Sequence, residues 1–323
     1  MKAWRAHSYG PPESLRFEDV PDPPLSGGQV RVEVRAAAVN FPDALLVAGN
    51  YQFKPDPPFI PGMEAAGVVV ESREARLPKG ARVAVLSEGL GCYATHVVAN
   101  PGNVFVIPDA MSFEDAAAMT VTYQTGWFGL HRRAQLQPGE WLLVHAAAGG
   151  VGSAAVQLGK AAGASVIATA GGAAKVERCR ELGADVVCDY TSEDFVAAVK
   201  KATAGRGANV VYDPVGGDVF DRSTKCIAFE GRIVVIGFTS GVFPSVKANH
   251  ILIKNYGVLG LHWGNYRFQD PAAIVACQAE LYRLYEKGLI RPLVSERLPL
   301  ADAPAALARV TARASTGKIV LQP

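Results

Sequence analysis

Cysteine and histidine are sparse in this chain of 323 residues, and neither is spaced as in a metal site. The five cysteines are odd in number and include no CxxC pair, and the six histidines show no HxH, HxxxH or HxxE spacing. Such cysteines are typical of reduced thiols packed as small hydrophobic side chains. These absences argue against a disulfide framework and against a zinc lobe.

Long apolar runs and an excess of one charge are also absent. No stretch reaches the roughly 18 apolar residues of a membrane span, and the start, MKAWRAHSYG, lacks the apolar region of a signal peptide. Thirty-two basic and 30 acidic side chains give a net charge of +2 without a run of five like charges. The footprint of a nucleic-acid or membrane partner is therefore missing. We expect a cytoplasmic protein that binds a small molecule.

The first part of the chain predicts a small β-rich domain. Short alternating runs, QVRVEVR at 29–35, ARVAVL at 81–86 and ATHVV at 94–98, are separated by turns rich in proline and glycine. Alternation of this kind is typical of strands with one buried face.

From Trp141 onwards, apolar strand segments alternate with helical segments. The strand segments are WLLVHA, SVIATA, DVVCDY, ANVVYD, GRIVVIG and YGVLGL. They are apolar throughout, as expected for parallel strands that are covered on both faces. The pattern predicts an α/β fold with a doubly wound parallel sheet of about six strands.

The chain ends in an apolar segment, Lys318–Gln322, that needs a sheet to join. We expect it to return to the β-rich domain, so that the doubly wound sheet is inserted within that domain. The expected boundaries are 1–122 and 264–323 for the β-rich domain and 123–263 for the sheet domain, with a cleft between them.

A glycine turn follows the first strand of the sheet, in the segment HAAAGGVGSAAVQ at 145–157. Glycine allows the backbone to approach a pyrophosphate, and the next helix offers N–H groups with partial positive charge. A short glycine cluster also fits a plain strand-to-helix turn. Its place at the first strand of a βαβ array favours a dinucleotide site.

The acidic residue of an NAD site is missing. NAD-specific sites place Asp or Glu roughly 20 residues after the glycine turn, where it binds the ribose hydroxyls. Here no acidic residue occurs from Trp141 to Val176, and Lys175 stands in the first turn after the second strand. A cation and free amides suit a 2′-phosphate, so we predict NADPH as the cofactor. The alternative is that Lys175 is a solvated surface lysine.

Seven stretches of the chain can be compared with known families. They are AAAVNFPDALLVAGNY at 36–51, PGMEAAGVV at 61–69, VTYQTG at 121–126, AAAGGVG at 146–152, VVYDPVGG at 210–217, VVIGFTSG at 234–241 and the ending STGKIVLQP. Together they resemble the zinc-free quinone oxidoreductase (zeta-crystallin-like) branch of the medium-chain dehydrogenase/reductase superfamily. The resemblance implies a Rossmann-type domain inserted in a GroES-like β-rich domain.

The resemblance also bears on metal binding. Zinc alcohol dehydrogenases of this superfamily carry a histidine before the glutamate of the matching turn, and a cysteine where this chain has Asn40. Here Met63 precedes Glu64. A thioether and an amide are poor ligands for Zn²⁺, so we expect no catalytic metal. Glu64 is interpreted as a structural carboxylate whose metal-site neighbours were replaced.

A nicotinamide enzyme without a Lewis acid needs an acceptor that is already electrophilic, such as a quinone or an α,β-unsaturated carbonyl. The resemblance places Asn40, Asp43 and Tyr51 near the nicotinamide. Tyr51 would donate to the developing enolate or phenolate, Asn40 would hydrogen-bond the cofactor or the substrate oxygen, and Asp43 would orient this pair. From the sequence alone, Asn40 also fits a helix cap, Asp43 a first-turn acid and Tyr51 a loop aromatic.

The resemblance further assigns the cofactor contacts. It assigns the pyrophosphate to Ala148, Gly149, Gly150, Val151 and Gly152 and the 2′-phosphate to Lys175 and Tyr190, with Arg313 as a further phosphate partner. It assigns the nicotinamide to Thr125, Gly237 and Phe238. Trp263 and Tyr266 either line the substrate pocket or are ordinary core aromatics.

The leading hypothesis is an NADPH-dependent, zinc-independent reductase of quinones or enones. The family suggests a homodimer, which could pair through the last sheet strand, Tyr256–Leu261. An enoyl-thioester reductase shares the hydride chemistry. A non-catalytic NADPH-binding sensor or structural protein is the alternative from another class.

Overall fold

The computed structural model describes residues 1–87 and 90–323. Contacts divide the chain into two compact units: Met1–Val121 together with Pro292–Pro323 form the first unit, and Thr122–Arg291 form the second. Within the described ranges, no helix has the length and apolar character needed to cross a bilayer.

The bounds of the strands and helices are as follows. The strands are β1 (Lys2–Arg5), β2 (Arg16–Asp19), β3 (Val30–Ala38), β4 (Glu64–Ser72), β5 (Arg82–Leu86), β6 (His96–Ala99), β7 (Val104–Val106), β8 (Trp141–Val144), β9 (Ser165–Ala170), β10 (Val186–Asp189), β11 (Ala208–Asp213), β12 (Ile227–Val235), β13 (Gly257–Gly260), β14 (Val294–Pro299) and β15 (Lys318–Gln322). The helices are α1 (Phe41–Val47), α2 (Phe113–Trp127), α3 (Gly150–Ala161), α4 (Ala173–Glu181), α5 (Phe195–Ala202), α6 (Gly217–Ser223), α7 (Ala248–Lys254), α8 (Tyr266–Gln269), α9 (Pro271–Glu286) and α10 (Ala303–Thr311).

The first unit is built on a seven-stranded sheet in the order β14-β15-β3-β4-β5-β7, with β6 also paired to β3. All pairings are antiparallel except that of β14 with β15. The closing strand β15 lies beside β3, with Val320 opposite Ala38. The prediction that the end of the chain returns to the N-terminal sheet is therefore confirmed.

The alternating run near the start of the chain becomes the central strand β3. Val30, Val32 and Val34 are buried, while the two side chains between them are only partly buried. Because successive side chains of a strand point to opposite faces, the three valines share one face. They join a core that also contains Tyr93 and Ile319, so this core draws on both ends of the chain.

The second unit contains a six-stranded sheet in the order β10-β9-β8-β11-β12-β13. Every pairing in it is parallel. The predicted doubly wound sheet of about six strands is confirmed. Its strands are apolar because helices cover them, and Leu143, Ile167, Val211 and Ile233 are buried in one cluster.

A buried histidine connects two elements of the second unit. The Ser223 hydroxyl donates to Val219 O at 2.7 Å, so its oxygen accepts from His145 Nε2–H at 2.8 Å. The Thr169 hydroxyl then donates to His145 Nδ1 at 3.0 Å. Burial lowers the pKa of His145 to about 3, with a further contribution from the Arg222 charge. This histidine is therefore neutral, and it ties β9 to α6.

The contact boundary differs from the predicted one at the return to the first unit. The prediction placed that return at residue 264, whereas the contacts place it after Arg291. Helix α9 stays with the second unit because its buried Gln278 accepts from Gln124 Nε2 at 2.7 Å. Arg291 stays because its N–H donates to Gln157 Oε1 at 2.6 Å and its carbonyl accepts from Gln157 Nε2 at 2.9 Å.

Candidate functional site

Most of the predicted cofactor residues lie at one edge of the second unit's sheet. The strands of that sheet are parallel, so their carboxyl ends meet at a single edge. The glycine turn at 148–152 follows β8, Lys175 follows β9, Tyr190 follows β10, and Gly237 with Phe238 follows β12. In open parallel sheets this edge is where ligands bind.

The glycine turn is shaped by close packing of α3 on the chain before it. A Cβ atom on Gly152 would lie 2.2 Å from Ala146 O and 2.7 Å from Ala147 Cα, so only glycine fits there. Helix α3 begins at Gly150, and the preceding Gly149 has no side chain with which to cap it. The first N–H groups of such a helix have no carbonyl partner one turn earlier. The turn therefore suits an anionic ligand.

A second turn, after β9, is organised by the neighbouring strand β10. Asp189 Oδ1 accepts from the Gly172 N–H at 3.0 Å and from the Thr191 hydroxyl at 2.6 Å. These hydrogen bonds, led by that of Thr191, lower the pKa of Asp189, so the carboxylate is ionised. The Tyr190 ring lies against Gly171, where a Cβ atom would be 2.6 Å from the Tyr190 hydroxyl. Lys175 is half-buried in the first turn of α4.

The residues after β12 pack on the turn after β11. A Cβ atom on Gly216 would lie 2.9 Å from the Phe238 ring, and the rings of Phe238 and Phe243 are 4.7 Å apart. Gly237 lies beside Pro214, whose carbonyl accepts from the Thr239 N–H at 3.0 Å. Gly237 and Phe238 therefore have a defined position at the sheet edge.

In the first unit, Asn40 and Asp43 form the start of α1. Asn40 is the N-cap residue, and its N–H donates to Asp43 Oδ2 at 2.9 Å. The same oxygen accepts from the Tyr93 hydroxyl at 2.9 Å. Both residues are buried. The helix-cap and first-turn interpretations of these two residues are thus confirmed, while contact of either residue with a substrate stays a prediction.

Glu64 is buried and accepts three hydrogen bonds. Its Oε1 accepts from Asn40 Nδ2 at 2.9 Å and from the Lys318 ammonium at 3.0 Å. Its Oε2 accepts from the Val121 N–H at 2.7 Å. The ammonium also donates to Asn40 Oδ1 at 2.6 Å. The carboxylate is therefore paired with a lysine that the sequence analysis did not select.

This arrangement does not fit a zinc ion. Zinc needs about four ligands, chiefly thiolates, imidazoles or carboxylates, and no group of three or more His, Cys, Asp or Glu side chains is gathered for a metal in the described part of the chain. The oxygens of Glu64 and Asn40 already surround a cation, the ammonium of Lys318. A metal at this place would bring a second positive charge against the first.

Asp43 has an unusually high pKa for a carboxyl group. Burial raises the pKa of Asp43 to about 7, although the hydrogen bonds from Asn40 and Tyr93 act in the opposite direction. Its buried Oδ1 has no hydrogen-bond partner in the described structure. A proton on Oδ1 therefore costs no existing hydrogen bond and removes an uncompensated buried charge.

The other predicted residues are more dispersed. Tyr51 is half-buried in the loop after α1, and Arg313 is exposed after α10, both in the first unit. Thr125 is buried in α2. Trp263 Nε1 donates to Gln124 at 3.2 Å, and the Tyr266 ring packs 4.3 Å from that of Phe128, so both aromatics have contacts inside the second unit.

Three residues that hold candidate site residues in place were not predicted from the sequence: Lys318, Asp189 and Tyr93. The available signal for Lys318 was a lone cation in the otherwise mainly apolar segment KIVLQ. Asp189 belongs to the third strand of the sheet, beyond the stretch in which an acidic residue was sought. Nothing in the local sequence distinguishes Tyr93 from a core aromatic.

Comparison with family models covers both units. Residues 26–109 match the alcohol dehydrogenase GroES-like domain, and residues 150–277 match the family described as zinc-binding dehydrogenase. The chain is 40% identical over 304 residues to a quinone oxidoreductase-like protein 2 homolog of Nematostella vectensis, with 92% of this chain and 82% of that protein covered. It is 36% identical to a quinone oxidoreductase of Pseudomonas aeruginosa, with 98% of each chain covered.

A solved structure shows the same fold. The quinone oxidoreductase of Escherichia coli, crystallised as a complex with NADPH, superposes with a TM-score of 0.92 and 32% sequence identity, and all of both chains is covered. The predicted combination of a GroES-like domain with a Rossmann-type parallel sheet is therefore confirmed.

Asp43→Asn should remove a pH dependence of stability. The carboxyl binds its proton more tightly in the native state, so its contribution is complete below its ordinary pKa of 3.8 and is lost as the pH rises through about 7. Asparagine imitates the protonated acid, because its oxygen can accept from Asn40 and Tyr93. Denaturant midpoints measured across this range should fall with pH in the parent more than in Asp43→Asn. The exposed Asp19→Asn is the control, and a parent-like slope in Asp43→Asn would contradict the assignment.

Proposed function

The chain belongs to the quinone oxidoreductase branch of the medium-chain dehydrogenase/reductase superfamily, and from this membership we propose that it transfers hydride from NADPH to a quinone or an α,β-unsaturated carbonyl without a metal. One observation carries the proposal. The oxygens of Glu64 and Asn40, which a catalytic metal would need, are already paired with the Lys318 ammonium. Without a Lewis acid, conjugated acceptors are the substrates that remain reactive.

The second unit supports the nucleotide part of the proposal. The turn at 148–152 leads into the uncapped start of α3, which suits a pyrophosphate. The Escherichia coli relative, of the same fold and 32% identical, was crystallised with NADPH. When bound, NADPH supplies the hydride. Gly237, Phe238 and Thr125 are proposed to contact the nicotinamide, and Arg313 to contact a phosphate.

The preference for NADPH over NADH is proposed to depend on charge near the second turn. Lys175 contributes a positive charge there, and the Tyr190 hydroxyl lies against Gly171. Asp189 contributes a negative charge that opposes phosphate binding, but its Oδ1 is engaged by Gly172 and Thr191. We propose that Lys175 and Tyr190 outweigh Asp189, because a charge-assisted hydrogen bond contributes about 1.5–3 kcal/mol.

The first unit is proposed to stabilise the acceptor. Hydride addition to one end of a conjugated system leaves negative charge on an oxygen, which a hydrogen-bond donor stabilises and a proton then neutralises. Tyr51 is the proposed donor, since its phenol can both donate a hydrogen bond and transfer a proton. Asn40 Nδ2 donates to Glu64 at 2.9 Å and to the Ala38 carbonyl at 3.5 Å, and a substrate oxygen is proposed to replace the longer of these two contacts. Asp43 is proposed to position α1.

The second unit also offers a surface for a homodimer. Strand β13 is last in the sheet order, so one of its edges has no strand partner among the described residues. Helix α7, which precedes it, exposes Leu252 and Ile253 by 77% and 74%. Exposed sheet edges and apolar patches are frequent in interfaces. We propose that two copies associate here.

The reaction is tested with NADPH and two acceptors, 9,10-phenanthrenequinone and crotonyl-CoA. The parent should oxidise NADPH faster with the quinone, whereas faster turnover with crotonyl-CoA would indicate an enoyl-thioester reductase. Tight NADPH binding without turnover of any conjugated acceptor would indicate a non-catalytic protein.

Tyr51→Phe should lower kcat by about a hundredfold, as expected for loss of a general acid, with NADPH affinity unchanged. Unaltered rates with both acceptors would remove Tyr51 from the mechanism.

Two substitutions with opposite effects test the phosphate contact. Lys175→Ala should weaken NADPH about tenfold or more, through loss of one charge-assisted contact, and should change NADH little. Asp189→Asn should favour NADPH, since it removes a negative charge and keeps an oxygen that accepts from Gly172. Calorimetric titration measures the affinities of each variant for NADPH and NADH, with the exposed Lys201→Ala as the control. Equal weakening of both nucleotides by Lys175→Ala would show that the lysine does not recognise the phosphate.

The introduction of negative charge on α7 tests the interface. Leu252→Glu with Ile253→Glu should convert a dimeric parent into monomers, because two carboxylates would be buried without partners. Light scattering gives the mass of each species. Leu289→Glu, a similar change at a residue 51% exposed elsewhere in the second unit, should remain dimeric. A monomeric parent would refute the proposed homodimer. A double variant that stays dimeric would place the interface elsewhere.

A further inference from the structure

Lys318 is a buried lysine whose ammonium has three acceptors in the first unit. The distances from Nζ are 2.6 Å to Asn40 Oδ1, 3.0 Å to Glu64 Oε1 and 3.0 Å to Val39 O. An ammonium carries three N–H groups, so these acceptors use all of them. The residue is 3% exposed. We call the three oxygens around Nζ the oxygen cage.

The cage determines how the Asn40 side chain is oriented. The two ends of an amide are nearly equal in shape, so packing alone does not distinguish them. Here Oδ1 faces the Lys318 ammonium and Nδ2 faces the Glu64 carboxylate at 2.9 Å. The reverse orientation would aim the amide hydrogens at a cation and the amide oxygen at an anion. The charges of Lys318 and Glu64 therefore select one orientation.

The cage also joins four segments of the first unit. Lys318 is in β15, Glu64 begins β4, Val39 and Asn40 connect β3 to α1, and the second Glu64 oxygen holds the Val121 N–H in α2. Asn40 is the N-cap of α1, so the position of that helix depends on the same hydrogen bonds. The loop that contains Tyr51 follows α1 directly. A displacement of the cage oxygens would therefore shift both proposed reactive side chains, Asn40 and Tyr51.

We propose that Lys318 is a positioning residue that acts as an internal cation, and that the oxygen cage binds a small primary ammonium ion when the lysine side chain is removed. The catalytic part of this inference rests on the proposed function, in which Asn40 and Tyr51 face the reactants. The cage itself does not rest on it, because its three acceptors are defined by the fold. No covalent step is involved.

Truncation of Lys318 should be costly, and the cost should be recoverable. Removal of one partner from a buried ion pair leaves the other charge without compensation. Lys318→Ala would leave Glu64 in that state and would also leave a channel where the side chain had been. Propylammonium has three carbons and one ammonium group, which are the atoms that alanine lacks relative to lysine. It should fill the channel and place its N–H groups among the three oxygens.

The experiment measures the unfolding midpoint and kcat of Lys318→Ala at rising propylammonium concentration. The midpoint should rise saturably by about 2–4 °C for each kcal/mol recovered. The kcat of the variant should be about tenfold to a hundredfold below that of the parent, as expected for a small misplacement of reacting groups. As propylammonium is added, the kcat should recover in parallel with the unfolding midpoint, while the KM for NADPH changes less.

Three controls separate the cage from general salt effects. Tetramethylammonium has no N–H group and should not rescue Lys318→Ala. Lys318→Met fills the channel without a charge, so propylammonium should not rescue it either. Lys79→Ala removes an exposed lysine of the same unit and should behave like the parent. Equal responses of Lys318→Ala to propylammonium and tetramethylammonium would overturn the proposal.

A second measurement covers the case in which Lys318→Ala does not fold. Refolding in propylammonium should then recover native protein, and failure to do so would contradict the cage. Lys318→Met combined with Glu64→Gln removes both charges. This double variant should lose less stability than the sum of the losses caused by the two single substitutions. Additive losses would overturn the inference. A parent without turnover would refute the proposed function, while the midpoints would still decide whether the cage exists.

Discussion

In the first unit, a lysine and a glutamate form an ion pair that is almost completely removed from water. Charges are buried in this way only if their hydrogen-bonding capacity is satisfied, because desolvation otherwise exceeds the attraction between them. Lys318 meets this condition with three acceptors, and Glu64 meets it with three donors. The start of α1, the end of the chain and part of α2 depend on this pair. The orientation of the Asn40 amide depends on it as well.

The pair explains why the oxygens of Glu64 and Asn40 do not suit a zinc ion, although the chain matches a family described as zinc-binding dehydrogenase. A positive charge among these oxygens is needed to balance Glu64, whether a metal or a side chain provides it. In this chain the charge is covalently attached to β15, so it requires no ion from solution. Under the proposed function the acceptor meets no Lewis acid at this place, which favours acceptors with conjugation of their own.

The second unit shows a different kind of constraint, which comes from the backbone. At Gly152 a single added carbon would overlap the Ala146 carbonyl, so α3 can approach the turn only if the side chain is absent. At Gly171 the obstacle would be the Tyr190 ring. Close packing at both turns leaves backbone N–H groups near the carboxyl edge of the sheet. Charge near the second turn is then a balance between Lys175 and Asp189, rather than the effect of a missing acid alone.

Much of the architecture could be predicted because it is written in short patterns. Alternating residues in β3, uniformly apolar strands after Trp141 and the glycine turn at 148–152 each reflect local geometry. The closing strand Lys318–Gln322 was expected to join the N-terminal sheet, and it does.

The partners of individual side chains could not be predicted in this way. Lys318 and Glu64 are 254 residues apart, and Asp189 reaches Gly172 from a neighbouring strand. The return to the first unit at Pro292 likewise depends on amide contacts of Gln278 and Gln157. Local pattern therefore settled which elements form and in what order, whereas the pairing of charges and amides was settled by folding, since it requires segments distant in the chain to meet.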